Sequence, residues 1–405
     1  MSQRPRRIAL LGNFGSDNLG NEASLSALLN LARRASPDAQ MTCICRDPHK
    51  AREKHGIETA PLRLHTPPGM LFRRLNRLLL GFPIAMADLV RALREVRRHD
   101  VIVVPGTGML DDFGEHWRAM PYDIFKWSLA ARLMRRPFAF VSIGAGPVAG
   151  SISKHLFKWA ARMASYRSYR DLDSRKFMES LSAKFHDDPI YCDLAFMLPS
   201  PERPQSRDLD RSLTIGVGVM SYHGWHAAEG GADAIYEAYV AKMTRFVLRL
   251  LGRGYRVRLL IGAAADTHAV DDVVRRVSLE CGQLPASQVI AEPASSLEHL
   301  MEQMVATDVI VSTRFHNIVA AIMVGLPAIS IGYAAKNDAL LAKAGLGEFC
   351  QRIDSLDVEL LIRQLELLIA GRNRWADGVM RARDELRRCV ERQAEYVTSL
   401  FLQVR

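Results

Sequence analysis

The sequence has no apolar stretch long enough to cross a bilayer. The longest, residues 78–90, is interrupted by Gly81, Pro83 and Asp88. The basic start, MSQRPRRIALLGNFG, holds only the short run 8–11 before Gly12 and Asn13, too brief for the core of a secretory leader. The six cysteines include no C-x-x-C pair, and no Cys/His group has zinc-finger spacing. They are expected to be small buried side chains in a reducing compartment, with Cys43 and Cys45 alternating onto one face of a strand. A Gly-Lys-Ser/Thr phosphate loop, a G-x-G-x-x-G turn, repeats and low-complexity tracts are all missing. No nucleic-acid motif appears, and the basic residues are not interleaved with stacking aromatics, so no nucleic-acid partner is expected. These absences point to a cytoplasmic globular protein with no metal cluster.

What is present fills two domains. The chain has 405 residues, 48% apolar and 24% charged, and single cores rarely grow beyond roughly 250–300 residues. Short apolar runs alternate with helical patterns. In the first half, strands are expected at 8–11, 41–45, 101–104, 138–143 and 166–169, with helices at 22–34, 122–134 and 154–164. Residues 198–210, LPSPERPQSRDLD, read as a linker. The rhythm then restarts, with strands at 213–219, 257–261, 288–291, 309–312 and 328–331. Helices at 234–251, 270–279, 296–306, 316–324 and 337–344 separate them. This alternation implies parallel sheets covered by helices. The fold class is therefore α/β: two Rossmann-like domains (1–200 and 211–350) facing across a cleft, GT-B-like, with C-terminal helices (351–405) packing back. Ligands of open parallel sheets bind beyond the carboxyl ends of the strands.

The net charge is +10, and it is concentrated. Between Arg63 and Arg98 lie eight arginines, opposed only by Asp88 and Glu95. Such a surplus favours anionic partners. This Leu-rich stretch, Arg73, Arg74 and Arg77 included, reads either as peripheral contact with the inner leaflet or as an ordinary helical face.

Six strand-end segments carry candidate chemistry. Gly12–Ala23 (GNFGSDNLGNEA) offers a tight turn with Asn13, Asn18 and Glu22. PGTGMLDD places Asp111 and Asp112 after a buried strand, where carboxylates can bind sugar hydroxyls or simply face solvent. SIGAGP needs only a structural reason. In YRDLDS, Asp171 can cap the following helix, and Arg170 suits a carboxylate or phosphate, or a structural pair with an aspartate. STRFHN puts Arg314 and His316 at a helix start, where two cations are unfavourable unless an anion joins them; Ser312 or Thr313 can cap that helix. In IGYAAKN, Lys336 can meet a phosphate or face solvent. The loops Tyr222–His226 and Asp266–His268 add titratable and aromatic groups.

Taken in order, these segments resemble the polysaccharide pyruvyl transferases. GNFGSDNLGNEA is similar to that family's G-x-x-N-x-GDEA opening, PGTGMLDD to its GGG-x-x-x-D and SIGAGP to its GIG-x-GP. YRDLDS is similar to its R-D-x-x-S and CDLAF, with Asp193, to its D-P-A-F. TRFHNIVAAIMVGLPAISIGYAAK is similar to its R-x-H, G-x-P and Y-x-x-K series. Asn21, Pro105, Thr107 and Leu194 depart from the pattern.

The resemblance implies transfer of pyruvate from phosphoenolpyruvate to two hydroxyls of a sugar, forming a ketal during surface or exopolysaccharide synthesis. On that reading Arg170, Arg314, His316 and Lys336 hold the donor, and His316 is the acid/base, unless it only holds phosphate. Asn13, Asn18, Glu22, Asp111 and Asp112 form the acceptor or loop side. The first domain takes the acceptor, which is often lipid-linked, and the second takes the donor. No cofactor beyond phosphoenolpyruvate as donor substrate is needed. A GT-B glycosyltransferase using a nucleotide sugar is the alternative, though Asp338 stands alone where an acidic pair for a ribose is expected. A non-catalytic component of a glycan-assembly complex is the other.

Overall fold

A computed structural model of the protein describes residues 5–64, 81–112, 114–203, 212–224, 231–282, 288–333 and 335–402. Arg73, Arg74, Arg77, Trp225, His226 and most of the linker lie outside these residues. No helix among the described residues is long and apolar enough to cross a membrane. The chain forms two compact units. The first takes Met1–Ser16, Ser24–Leu194 and Cys389–Arg405; the second takes Asp17–Ala23 and Ala195–Arg388.

The first unit is built on six parallel strands: β1 (Arg7–Gly12), β2 (Gln40–Cys45), β3 (Glu58–Pro61), β4 (Val101–Pro105), β5 (Phe138–Ile143) and β6 (Tyr166–Tyr169). Their order is β3-β2-β1-β4-β5-β6, so the chain reverses its direction of progress between β1 and β4. The helices are α1 (Leu19–Ala35), α2 (Pro48–His55), α3 (Phe82–Arg97), α4 (Met120–Leu133), α5 (Ser151–Met163) and α6 (Leu172–Leu181). The run Val101-Ile102-Val103-Val104 is wholly buried, as β-branched residues on a strand covered from both sides must be. Ile102, Val104, Phe138 and Phe140 share one core with Ala92 and Val96 of α3, Ile124 and Trp127 of α4, and Phe157 and Ala161 of α5. These three helices therefore cover one face of the sheet, with α4 packed against both of the others.

Two local choices fix helix starts. Asp47 accepts from the backbone N–H groups of His49 and Lys50, with Pro48 opening α2. Asp171 accepts from Ser174 N at 2.7 Å and caps α6, as the sequence suggests.

The second unit repeats the plan with β7 (Thr214–Gly218), β8 (Arg256–Leu260), β9 (Val289–Ala291), β10 (Val309–Ser312), β11 (Ala328–Gly332) and β12 (Cys350–Arg352). Their order, β12-β11-β10-β7-β8-β9, is the first sheet's order again, with its reversal between β7 and β10. The helices are α7 (Ala232–Leu251), α8 (Thr267–Cys281), α9 (Leu297–Val305), α10 (Phe315–Met323), α11 (Ala335–Lys343), α12 (Val358–Ala370) and α13 (Arg372–Leu402). Both sheets are thus Rossmann-like, and the two-domain α/β expectation holds.

The last turns of α13, from Cys389, belong to the first unit. There Gln393, fully buried, donates from Nε2 to Ser168 Oγ at 2.9 Å and accepts at Oε1 from Ser142 Oγ at 2.8 Å. Ser142 has φ of 50°, unusual outside glycine, and the β5–β6 register shifts between Phe140 and Ile143 around it. Tyr396 of α13 stacks on Tyr166 at 4.4 Å. Of the six cysteines expected to be buried, Cys43, Cys45 and Cys192 are, whereas Cys350 and Cys389 are half-buried and Cys281, the last residue of α8, is exposed.

Candidate functional site

In the second unit, four strand ends deliver the groups singled out in the sequence. Arg314 follows β10 and occupies the N-cap position of α10 with extended backbone (φ −76°, ψ 132°). The helix therefore starts one residue later than a Thr313 cap would require. Thr313 turns inward instead, its hydroxyl 2.9 Å from Tyr239 Oη, and Ser312 Oγ has no partner among the described residues, so neither caps the helix. The first turn of α10 has no side-chain cap and keeps its positive end open.

Arg314 is gripped along one edge. Its Nε donates to Asp266 Oδ2 at 2.9 Å and its Nη2 to Asp266 Oδ1 at 2.6 Å. Asp266 is fully buried and also accepts from the backbone N–H groups of Gly262, Ala263 and Ser221, at 3.1, 3.0 and 3.2 Å. Burial alone would favour the neutral arginine, but the Asp266 hydrogen bonds and charge outweigh it and raise the guanidinium's pKa. The fork thus stays charged and oriented. The Nη1 edge makes no hydrogen bond among the described residues.

His316 lies one helical step on, half-buried. The loop before α1 comes to it within the same unit. Asn18 bridges Ala263, Leu19 N donates to Gly262 O at 3.1 Å, and Ala264 N donates to Asp17 O at 3.1 Å. Asn18 Oδ1 accepts from Gly20 and Asn21 and so starts α1. Gly20 has no side chain for a reason: a Cβ there would stand 1.9 Å from His316 Nδ1. Glu22, in the next turn, is buried. Lys336, in the first turn of α11, holds its Nζ 5.3 Å from the ring centres of both Phe315 and Tyr333. No carboxylate among the described residues pairs with it.

Asn317 lies among these candidates, and pattern reading does not single it out. It is fully buried next to Arg314 and His316, and both ends of its amide lack hydrogen-bond partners among the described residues. A Cβ at Gly218 or Gly262 would meet that amide at 2.8 and 2.9 Å, so the two glycines make its room. Nearby, Tyr222 donates from Oη to Asp354, and burial followed by that bond pushes its phenol up to about 12. His223 stacks on Tyr236 at 4.8 Å.

The remaining candidates belong to the first unit. Arg170 packs on Gly144, where a Cβ would lie 2.6 Å from its Nη2, and it pairs with Asp171 and Asp193, both at 3.4 Å. It is therefore buried between two carboxylates. The PGTG and GAGP turns are zipped together: Gly144 N donates to Thr107 O, Leu110 N to Gly144 O, and Gly146 N to Leu110 O. Asp112 is buried and accepts from Gly114 N at 3.2 Å, whereas Asp111 is half-exposed. Asn13 lies after β1, its backbone carbonyl accepting from Ser16 Oγ at 2.9 Å. The structure thus brings Asn18, Glu22, Arg314, His316 and Lys336 into one unit, and Asn13, Asp111, Asp112 and Arg170 into the other.

Solved structures share this architecture over nearly the whole chain. The UDP-GlcNAc 2-epimerase from Neisseria meningitidis, bound to UDP-GlcNAc, is 11% identical with a TM-score of 0.58, covering 98% of this chain and 99% of its own. Anabaena Alr3699/HepE, in complex with UDP, is 14% identical with a TM-score of 0.60, covering 97% and 100%. The glycosyltransferase SnogD from Streptomyces nogalater is 16% identical with a TM-score of 0.52, covering 98% and 100%. At these identities the likeness is one of fold, two Rossmann-like domains of the GT-B kind. Comparison with curated protein sequences finds no match. The family model for polysaccharide pyruvyl transferases matches residues 18–334, from the Asn18 loop through β11. The chain accordingly belongs to the polysaccharide pyruvyl transferase family, and so to the transferases.

Proposed function

We propose that the protein transfers pyruvate from phosphoenolpyruvate to two hydroxyls of a sugar in a growing surface glycan, forming a cyclic ketal. The observation that carries this reading is the pairing of Arg314 with Asp266. A guanidinium fixed along one edge, with Nη1 left over at an uncapped helix start beside His316, suits a ligand with two anionic ends. Lys336, resting on Phe315, adds a second cation.

The reaction balances as follows. A proton adds to the methylene carbon of phosphoenolpyruvate, leaving positive charge on the central carbon. One sugar hydroxyl bonds to that carbon and gives up its proton. The C–O bond to phosphate breaks, phosphate leaves, and the second hydroxyl closes the ketal, its proton leaving as well. Arg314 and Lys336 neutralise the carboxylate and the departing phosphate. His316 either supplies the proton to the methylene carbon or holds the phosphate; imidazole is suited to both near neutral pH.

Thermal-shift binding of phosphoenolpyruvate and of a panel of nucleotide sugars, on the wild type and Arg314→Ala, tests the donor. Stabilisation by phosphoenolpyruvate that disappears in the variant supports the proposal. Stabilisation by a nucleotide sugar alone overturns it in favour of glycosyl transfer.

A further inference from the structure

Two helices of the first unit, α3 and α5, which flank the largely buried α4, turn unusual side chains to solvent. On α3, Phe82, Met86 and Val90 recur every four residues and are 64, 45 and 38% exposed. On α5, Ile152, His155, Trp159 and Arg162 form one stripe, with Ile152 and Trp159 half exposed and the Arg162 guanidinium 5.2 Å from the Trp159 ring centre. Helices normally hide such residues and show water their charges of both signs.

Here the negative charges are the ones hidden. Helix α5 has no acidic residue. Asp88 of α3 and Asp123 of α4 are buried under the layer, where Lys126 donates to them at 2.5 and 3.1 Å. Arg91 adds a bond to Asp88, and Arg63 grips Asp123. Glu95 is matched by Arg98 at 3.3 Å. What remains for the outside on these helices is Arg94, Arg97, Arg132, Lys154, Lys158 and Arg162. A face that combines exposed apolar and aromatic side chains with cations of one sign is complementary to a surface that is apolar below and anionic above.

We propose that this face of α3 and α5 lies on an anionic lipid bilayer, with Phe82, Met86, Ile152 and Trp159 entering the headgroup boundary and the flanking arginines and lysines meeting lipid phosphates. Trp159, an amphipathic ring backed by Arg162, is the interfacial anchor. The docking surface is made by the fold, from two helices separated in sequence, rather than by the arginine-rich segment alone.

Flotation of the full chain with vesicles tests this. Binding is expected to phosphatidylethanolamine vesicles containing phosphatidylglycerol, and not to pure phosphatidylcholine. Ile152→Ser with Trp159→Ser should weaken binding on the order of tenfold. Lys154→Glu, Lys158→Glu and Arg162→Glu together should weaken it on the order of a hundredfold. All these side chains are at the surface, so an unchanged melting temperature confirms folding. Wild-type protein that does not float, or that floats as well after either change, overturns the proposal. So does a concentration-dependent dimer in sedimentation that Ile152→Ser/Trp159→Ser abolishes while no vesicle binding is seen, since a second copy would then cover the face.

Discussion

Asp266 holds Arg314 by two hydrogen bonds, of 2.6 and 2.9 Å, across 48 residues of sequence, while its remaining capacity is taken by three backbone N–H groups. An asparagine there would present N–H donors to groups that are all donors. Asp266→Asn is expected to cost about 3–5 kcal/mol of stability, as breaking a buried pair does. Urea unfolding followed by circular dichroism measures it; a cost below about 1 kcal/mol would show that the pair is dispensable.

Arg314→Lys keeps the charge but loses the fork. Lysine cannot satisfy both Asp266 oxygens and still offer an oriented edge to a ligand. With phosphoenolpyruvate as the proposed donor, its affinity is expected to fall on the order of tenfold to a hundredfold, read by calorimetry.

Gly20→Ala tests the position of His316. The alanine methyl would collide with the His316 ring. At the second residue of α1 the helix gains little from alanine, and the crowding is expected to cost about 1–3 kcal/mol of stability. Turnover, measured as phosphate release from the proposed donor phosphoenolpyruvate with acceptor, should drop at least about tenfold at a temperature well below the variant's own melting temperature. Undiminished turnover would mean that the position of His316 is not critical.

The strands at the centres of the two sheets were readable because residues such as Val101–Val104 and Val309–Ser312 form unbroken apolar runs, and Asp171 announced its helix by type and place. The edge strands β3 and β12 were not, because Glu58, Pro61, Gln351 and Arg352 give half-exposed edges no apolar run to read. The candidate cations Arg314, His316 and Lys336 stood out by type at strand ends. Their partners did not. Nothing local links Asp266 to Arg314, or Gly20 to His316; topology alone brings them together.

The buried charges beneath α3 and α4 set a response to acid. Burial opposes ionisation of Asp88, but Lys126 and Arg91 outweigh it and hold the carboxyl below its ordinary value. Its contribution is complete above pH of about 4 and is lost as pH falls through the depressed value. Lys126→Met should remove much of that acid dependence and cost about 3–5 kcal/mol at neutral pH. Denaturant midpoints between pH 3 and 7 for both proteins check it; parallel curves would contradict the assignment.

Gln393 carries a last consequence. It follows Ser142 and Ser168 by 251 and 225 residues of sequence, yet it completes the unit to which they belong. While residues 5–194 emerge, Ser142 and Ser168 have no amide to bind, and Tyr166 has no Tyr396 to stack on. Finishing the first-made unit therefore waits until α13 has been made. A chain broken off shortly before Gln393 would be defective not where it was cut, but in the unit whose strands it still encodes in full.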